Sequence, residues 1–232
     1  MPLSKLLQEH LTKIGVYVYR KPAKFYYDLE NEIKHNLVKQ STGILHIGAH
    51  FGQESSYYFQ NGLKVIWIEA LPEIFEKLQS TISRYKEQIA YCALLGNENR
   101  TDTDFFISNN DGSASSVYRI SEKSNFKNVY IEKKIKLTMV RLDNLLENVD
   151  MKDFTHWILD VQGAELLVLQ GAGDLISYCK SITIEVSSRE TYLGGVKYLE
   201  LKDYLSIFNF FPLWEPNEDE HTDISFIRLA NN

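Results

Sequence analysis

Apolar residues in this chain fall into two spacings: short unbroken runs, and stripes that recur every three or four positions. Ile44 to Ile47 and Val65 to Ile68 are runs without clean alternation. Both therefore read as strands covered on both faces, as in a parallel sheet. Ile89 to Leu95, His156 to Asp160 and Ser181 to Val186 repeat the signal. Between them, Phe75, Leu78, Ile82 and Tyr85 make an amphipathic helix opened by Pro72, and Leu166 to Gln170 a shorter one closed by Gly171. Tyr198, Leu201, Leu205 and Phe208 mark the last long helix. Strand, helix, strand repeated in this way predicts an α/β fold.

The rhythm breaks in three places. Before the sheet, Leu7, Leu11 and Ile14, then Phe25, Leu29, Ile33 and Leu37, make two helical stripes. Residues 1–40 thus read as a helical cap on a domain spanning 41–232, with a lid or a dimer surface as the functional alternative. At Thr101 the pattern changes to a strand over Asp104–Ser108, a turn at Asn109–Gly112 and a returning strand over Lys133–Val140. This predicts an inserted β-hairpin whose loop carries Ser113, Ser115 and Ser116; composition alone favours a solvated loop. At the end, Phe211–Pro216 and Ile224–Leu229 read as a closing antiparallel pair. A short helix starts at Leu142 with Asp143.

Composition narrows the class. A chain of 232 residues fits one domain with a full core. The net charge of −6, with no long basic run, argues against a nucleic-acid surface but leaves room for a small anionic substrate. Cys92 and Cys179 lie in or beside apolar runs and make neither a disulfide framework nor a zinc site. The first residues lack an apolar signal core, and no stretch is long and apolar enough to span a membrane. A reducing cytoplasm is the simplest compartment.

The chemistry concentrates where strands end. The first run closes on Gly48-Ala-His-Phe-Gly52, and Glu69 closes the second. Glycines let a backbone approach a ligand, a helix N-terminus offers free N–H groups, and an acid about 20 residues on can take two ribose hydroxyls. The turn is neither Gly-x-Gly-x-x-Gly nor a phosphate loop. A nucleoside cofactor without a pyrophosphate is favoured, S-adenosylmethionine first. Asp160 and Glu185 close the fourth and fifth runs as Glu69 closes the second. Helix capping explains such an acid singly, most plausibly Asp160. Three acids at one edge of the sheet point to a site. If the acceptor is an alcohol it needs a base, and Asp160, Glu185 and His221 are the candidates. Two of the carboxylates holding a divalent cation is the alternative. His46 falls within a strand and reads as a core histidine; His50 lies in the turn, within reach of a cofactor.

Four blocks together resemble the FkbM family of class I S-adenosylmethionine-dependent methyltransferases. They are LHIGAHFGQE (45–54), VIWIEALPEIFEKL (65–78), WILDVQGAELLVLQGAG (157–173) and IEVSSRETYLGG (184–195); the helix at Leu142-Asp143 and HTDISFIR (221–228) also fit. The resemblance implies a Rossmann-like, mostly parallel seven-stranded sheet with an antiparallel last strand and helices on both faces. It implies O-methylation, commonly of a sugar hydroxyl in a glycan or glycosylated metabolite. It sets Gly48 and its turn, with His50, against the amino-acid part of the cofactor. Glu69 and Ala70 would hold the ribose side, and Ser115 or Ser116 would lie near the cofactor with Asp160. Gln162, Glu165, Tyr192 and Gly194 would shape the acceptor pocket. The family's Asp-x-Glu-Gly-x-Glu has Gln162 in place of its first Glu, which lowers the weight of a metal-dependent mechanism; no metal is assigned. A homodimer through the N-terminal helices is a further expectation. Two rival readings remain: a nicotinamide-dependent oxidoreductase on a similar sheet, and a non-catalytic binding or assembly module.

Overall fold

The computed structural model describes residues 23–216 and 221–229, with side chains from residue 29 onward. The stripe Leu7–Ile14 lies outside the described residues. In chain order the elements are α1 (Ala23–Gln40), β1 (Gly43–Ile47), α2 (Ser55–Gln60), β2 (Lys64–Glu69), α3 (Pro72–Ile82), β3 (Gln88–Cys92), β4 (Leu94–Gly96), β5 (Arg100–Ser108), β6 (Ile131–Arg141), α4 (Leu142–Leu145), β7 (His156–Leu159), α5 (Glu165–Gly171), β8 (Ser181–Ser187), α6 (Tyr198–Ser206), β9 (Phe210–Pro212) and β10 (His221–Arg228).

Seven strands form one sheet in the order β3-β2-β1-β7-β8-β10-β9, and β10 runs antiparallel to both its neighbours. This is the Rossmann-like, mostly parallel arrangement expected, with the final strand reversed. β1 is buried at all five positions. Its residues alternate between two hydrophobic clusters. Leu45 and Ile47 join Ile66, Ile68, Trp157 and Leu159 on one face, and Ile44 joins Val65, Trp67, Leu78 and Ile82 on the other. Apolar runs without alternation are what a sheet covered on both sides requires. On α1, Ile33 and Leu37 pack with Leu213 and Ile227, so this part of the second stripe is used within the chain.

The insertion is larger than a hairpin. β5 and β6 pair antiparallel, and β4 adds to β6 in parallel, giving a separate three-stranded sheet. The single run Ile89–Leu95 is therefore two strands. β3 is the outer strand of the main sheet and leaves Ile89 exposed; beyond it the Ala93 N–H donates to the Glu69 carbonyl, and the chain crosses to Met139–Arg141 of β6. An apolar run records burial but not which partner each half pairs with. The last helix likewise ends at Ser206, leaving Phe208 just beyond it.

The expectation of a solvated serine loop is corrected in part. Ser113 is exposed, but Ser115 and Ser116 are buried. Ser115 Oγ accepts the Ser108 N–H at 3.0 Å, and Ser116 exchanges backbone hydrogen bonds with Phe106. These bonds satisfy polar groups that would otherwise hold the loop in water.

Gly48 is the tightest point between the strands that build the site. Its φ is +81°, and a Cβ there would lie 1.8 Å from the Asp160 carbonyl oxygen. Gly62 has a similar φ of +69° at the end of α2, with nothing within 4 Å of a Cβ. Gly62→Ala should cost about 1 kcal/mol, the price of left-handed backbone alone. Gly48→Ala should cost on the order of 3 kcal/mol or more, because strain and collision add. Urea unfolding of the two variants checks this; equal losses would show that the contact with Asp160 gives way freely.

Candidate active site

β1, β2 and β7 end along the same edge of the main sheet, the edge at which open α/β folds bind ligands. A cavity of about 210 Å³ opens there, and Gly48, His50, Glu69, Ala70, Ser115, Asp160 and Gln162 all line it. Leu71, Leu94 and Phe105 give it an apolar side.

Glu69 ends β2 and is buried. Its two carboxylate oxygens accept the backbone N–H groups of His50 at 2.9 Å and of Leu71 at 2.8 Å. Burial raises its pKa, and these hydrogen bonds oppose the rise. A carboxylate oxygen can accept more than one hydrogen bond, and Glu69 lines the cavity. His50 sits at a φ of +46°. Its Nε2 donates to the Asp111 carbonyl at 3.0 Å, so Nδ1 is left to accept from the Gln53 amide at 3.2 Å. The histidine thereby ties the glycine turn to the inserted loop. His46 also reaches the cavity, but it is a packed residue. It stacks on Trp67 with ring centroids 4.8 Å apart, meets Tyr58 Oη at 3.2 Å, and is pushed down to a pKa of about 3, first by burial.

Asp160 and Glu185 are neighbours because β7 and β8 pair with Leu159 opposite Ile184. Gln162 bridges them. Its amide nitrogen donates to Asp160 Oδ1 and, at 2.7 Å, to Glu185 Oε2, while the Tyr192 hydroxyl donates to its amide oxygen. The orientation of the amide follows: nitrogen toward the acids, oxygen toward the phenol. Gln162 holds a φ of +57°, a conformation unusual outside glycine. His221 completes the row, with Nε2 3.0 Å from Glu185 Oε1 and Nδ1 2.6 Å from Ser187 Oγ, which in turn meets Thr191 Oγ1 at 2.7 Å.

The charges in this row are unequal. Asp160 is exposed where it opens on the cavity, but its carboxyl sits deep among surrounding protein groups. That depth, then the charge of Glu185 and the hydrogen bond to it, raise its pKa well above the usual carboxylate range. Burial acts on Glu185 in the same sense, but the hydrogen bond and charge of His221 outweigh it, and the net shift is downward. Burial works to lower His221; Glu185 overcomes it, and the net shift is upward. The three shifts diverge: Asp160 is pushed toward its acid form, Glu185 toward its carboxylate and His221 toward its imidazolium. Among the three candidate bases, Asp160 alone lines the cavity.

The remaining acceptor-side residues divide. Tyr192 and Glu165 line a small second cavity with Glu185 and His221. Glu165 is 2 % exposed and accepts the N–H groups of Val161 and Gly163 at 3.2 and 3.1 Å. Gly194 is exposed and lines neither cavity; its neighbour Gly195 lines the second. Ser116 also lies outside both, with its Oγ accepting the Tyr118 N–H at 3.1 Å. Sequence reasoning missed Ser187 and Thr191, which anchor His221, and missed that Gln162 links both acids. The Ser187-Ser188 pair beside Glu185 was the available signal for the first; the second had none. Among the described residues no three His, Cys, Asp or Glu side chains are grouped so as to hold a metal ion.

A model of the methyltransferase FkbM domain family matches residues 46–212 of this chain. No curated protein matches it. Solved structures similar to it include Aeropyrum pernix fibrillarin with natively bound S-adenosyl-L-methionine, at 10% identity over 82% of this chain and 68% of that one, TM-score 0.46. Magnesium protoporphyrin IX methyltransferase from Synechocystis PCC 6803 with bound SAM is similar at 9% identity over 97% and 96%, TM-score 0.42. An rRNA methylase from Streptococcus thermophilus is similar at 10% identity over 93% and 100%, TM-score 0.46.

Glu165 makes the electrostatics testable. Burial is the first cause that raises its pKa from 4.5 to about 7. A carboxyl group raised on folding favours the folded state below its unfolded pKa and loses that advantage as pH rises through the folded value. Relative to Glu165→Gln, the native protein should therefore lose roughly 3 kcal/mol of stability between about pH 4 and pH 8. Paired urea melts across that range check it; parallel curves would place an ionised Glu165 in the fold.

Proposed function

Since the chain belongs to the FkbM methyltransferase family, we propose that it is an S-adenosylmethionine-dependent O-methyltransferase acting on a sugar hydroxyl, free or within a glycan or glycosylated metabolite. The observation that carries this reading is the placement of Glu69 and Asp160 on one cavity, at the ends of β2 and β7. Glu69 keeps acceptor capacity for two ribose hydroxyls. The apolar side at Leu71, Leu94 and Phe105 suits an adenine ring, and the turn from Gly48 to His50 suits the amino-acid end. S-adenosylmethionine supplies an electrophilic methyl group that needs no activation by the protein.

The protein's task is the acceptor. An alcohol loses its proton as it attacks, so the site has to position the hydroxyl and take that proton. Asp160 and Glu185 together hold one proton and one negative charge. Asp160 receives the hydroxyl proton on one oxygen as its own proton passes to Glu185 across their hydrogen bond. Gln162 keeps the two carboxylates in register, and His221 balances the charge on Glu185 before the transfer. An acid next to the acceptor thus acts as a base because its neighbour carries the charge.

Two substitutions separate binding from chemistry. Asp160→Asn should bind S-adenosylhomocysteine within about threefold of the native protein and lose about 10²–10⁴-fold in methyl transfer to a sugar panel. Glu69→Gln should weaken S-adenosylhomocysteine about tenfold or more, equivalent to about 1.4 kcal/mol. Unchanged turnover in the first variant would remove Asp160 from the mechanism, and unchanged affinity in the second would remove Glu69 from the cofactor site.

A further inference from the structure

Glu54 stands just before α2 and lines the cavity proposed for the cofactor, together with His46, His50 and Gln53. An acid at the start of a helix is commonly a cap, but the Glu54 side chain makes no capping hydrogen bond to α2. Its charge acts instead on groups of the cavity wall. After burial, it is the next cause that raises the pKa of the Tyr58 phenol, whose Oη lies 3.2 Å from His46 Nδ1. It also interacts with His50. Glu54 is exposed where it opens on the cavity, but the protein around its carboxyl raises its pKa, against its own backbone N–H and the charge of His50. A cation bound at this carboxyl would offset that cost.

The backbone of the glycine turn is largely engaged with itself. The Ile68 carbonyl accepts the N–H groups of Gly48 and Ala49 at 2.9 and 3.1 Å, the Ala49 carbonyl that of Gly52 at 2.9 Å, and the Gly52 carbonyl that of Ser55 at 3.0 Å. The turn therefore shapes this end of the cavity, and a carboxylate supplies the full charge that a carbonyl lacks. The acids on the wall divide by place. Glu69, at the end of β2, receives two backbone N–H groups, and Asp160, beyond the end of β7, is tied to Gln162. Glu54 follows the turn, and His50 links it to Glu69: the His50 N–H donates to Glu69, and its ring acts on Glu54. His46, on the same wall, is pushed down to a pKa of about 3, first by burial, and so sets no competing positive charge there.

We propose that Glu54 receives the α-ammonium group of the cofactor's amino-acid end, and that the cavity thereby selects the intact amino-acid nucleoside over the same nucleoside without its ammonium. The inference rests on the S-adenosylmethionine reading of the cavity and names the group that recognises one end of that molecule. Glu69 and Glu54 then hold the cofactor from its two sides, the ribose and the amino acid. Holding both also steadies the sulfur between them, which carries the methyl group, for in-line attack.

The test is calorimetric titration of the full chain and of Glu54→Gln, which keeps the shape of the side chain and removes its charge. The ligands are S-adenosylhomocysteine and its deaminated analogue, in which hydrogen replaces the α-ammonium group. The native protein should bind S-adenosylhomocysteine about tenfold or more tighter than the analogue, as loss of a charge-assisted hydrogen bond requires. In Glu54→Gln that preference should fall to about threefold or less, and the analogue should bind at least as tightly as it does to the native protein. Binding of the analogue by the variant also shows that the cavity is intact. Equal binding of the two ligands by the native protein, or a preference that survives Glu54→Gln, would overturn the proposal and leave the cofactor reading standing. So would loss of both ligands in the variant, which would make Glu54 a support of the cavity's shape. Failure of the native protein to bind S-adenosylhomocysteine would overturn the cofactor reading, and this inference with it.

Discussion

Two carboxylates that share a hydrogen bond cannot both be ionised at neutral pH without a large cost. Asp160 and Glu185 are placed under that constraint by the register of β7 on β8, and much of the site answers it. The Gln162 amide donates to both acids. His221 pairs with Glu185, which favours its charged form, and is itself held by Ser187. Tyr192 fixes the amide's orientation and, 3.3 Å from the Ala114 carbonyl, connects it to the inserted loop. The positive φ of Gln162 is the local cost of putting its side chain between the acids. A carboxylate at position 162 would remove the donor and add a further negative charge beside the pair.

The fold supplies this arrangement through close backbone approach. Gly48 lets β1 turn directly beneath the Asp160 carbonyl, so the glycine turn and the acid row face one cavity. Gly163, at φ +94°, brings the next turn against Tyr192, with a Cβ there only 3.1 Å from the ring. The inserted three-stranded sheet then closes the site from above, through His50 with Asp111 and through the buried Ser115. The glycines near the site thus serve contacts between protein segments as much as an approach to ligand.

Much of the architecture was legible in the chain because burial on both faces of a parallel sheet writes itself as unbroken apolar runs. The acids at 69, 160 and 185 stood out for the same reason: each lies at or near the end of such a run, although β8 continues two residues past Glu185 to Ser187. The division of Ile89–Leu95 between two sheets was not legible, since pairing partners leave no mark on an apolar run. The inward Ser115 and Ser116 were hidden because their hydroxyls are satisfied by backbone groups brought together only by the turn. Gln162 was read as a departure from a family pattern. Its bridging role depends on Glu185 and Tyr192, 23 and 30 residues away, and on a backbone conformation that no residue type announces. Placement in the fold also separated residues that sequence had grouped: Gly194 and Ser116 lie outside the cavities that receive their neighbours.

The central claim is that the cavity between Glu69 and Asp160 is built for a nucleoside cofactor with no pyrophosphate. The most direct measurement is calorimetric titration of the native protein with S-adenosylhomocysteine, with NAD titrated in parallel. Saturable binding of S-adenosylhomocysteine, and none of NAD, is the result this account predicts. Binding of NAD alone would contradict the reading of the glycine turn, and binding of neither would leave a domain that keeps the fold and has given up the chemistry.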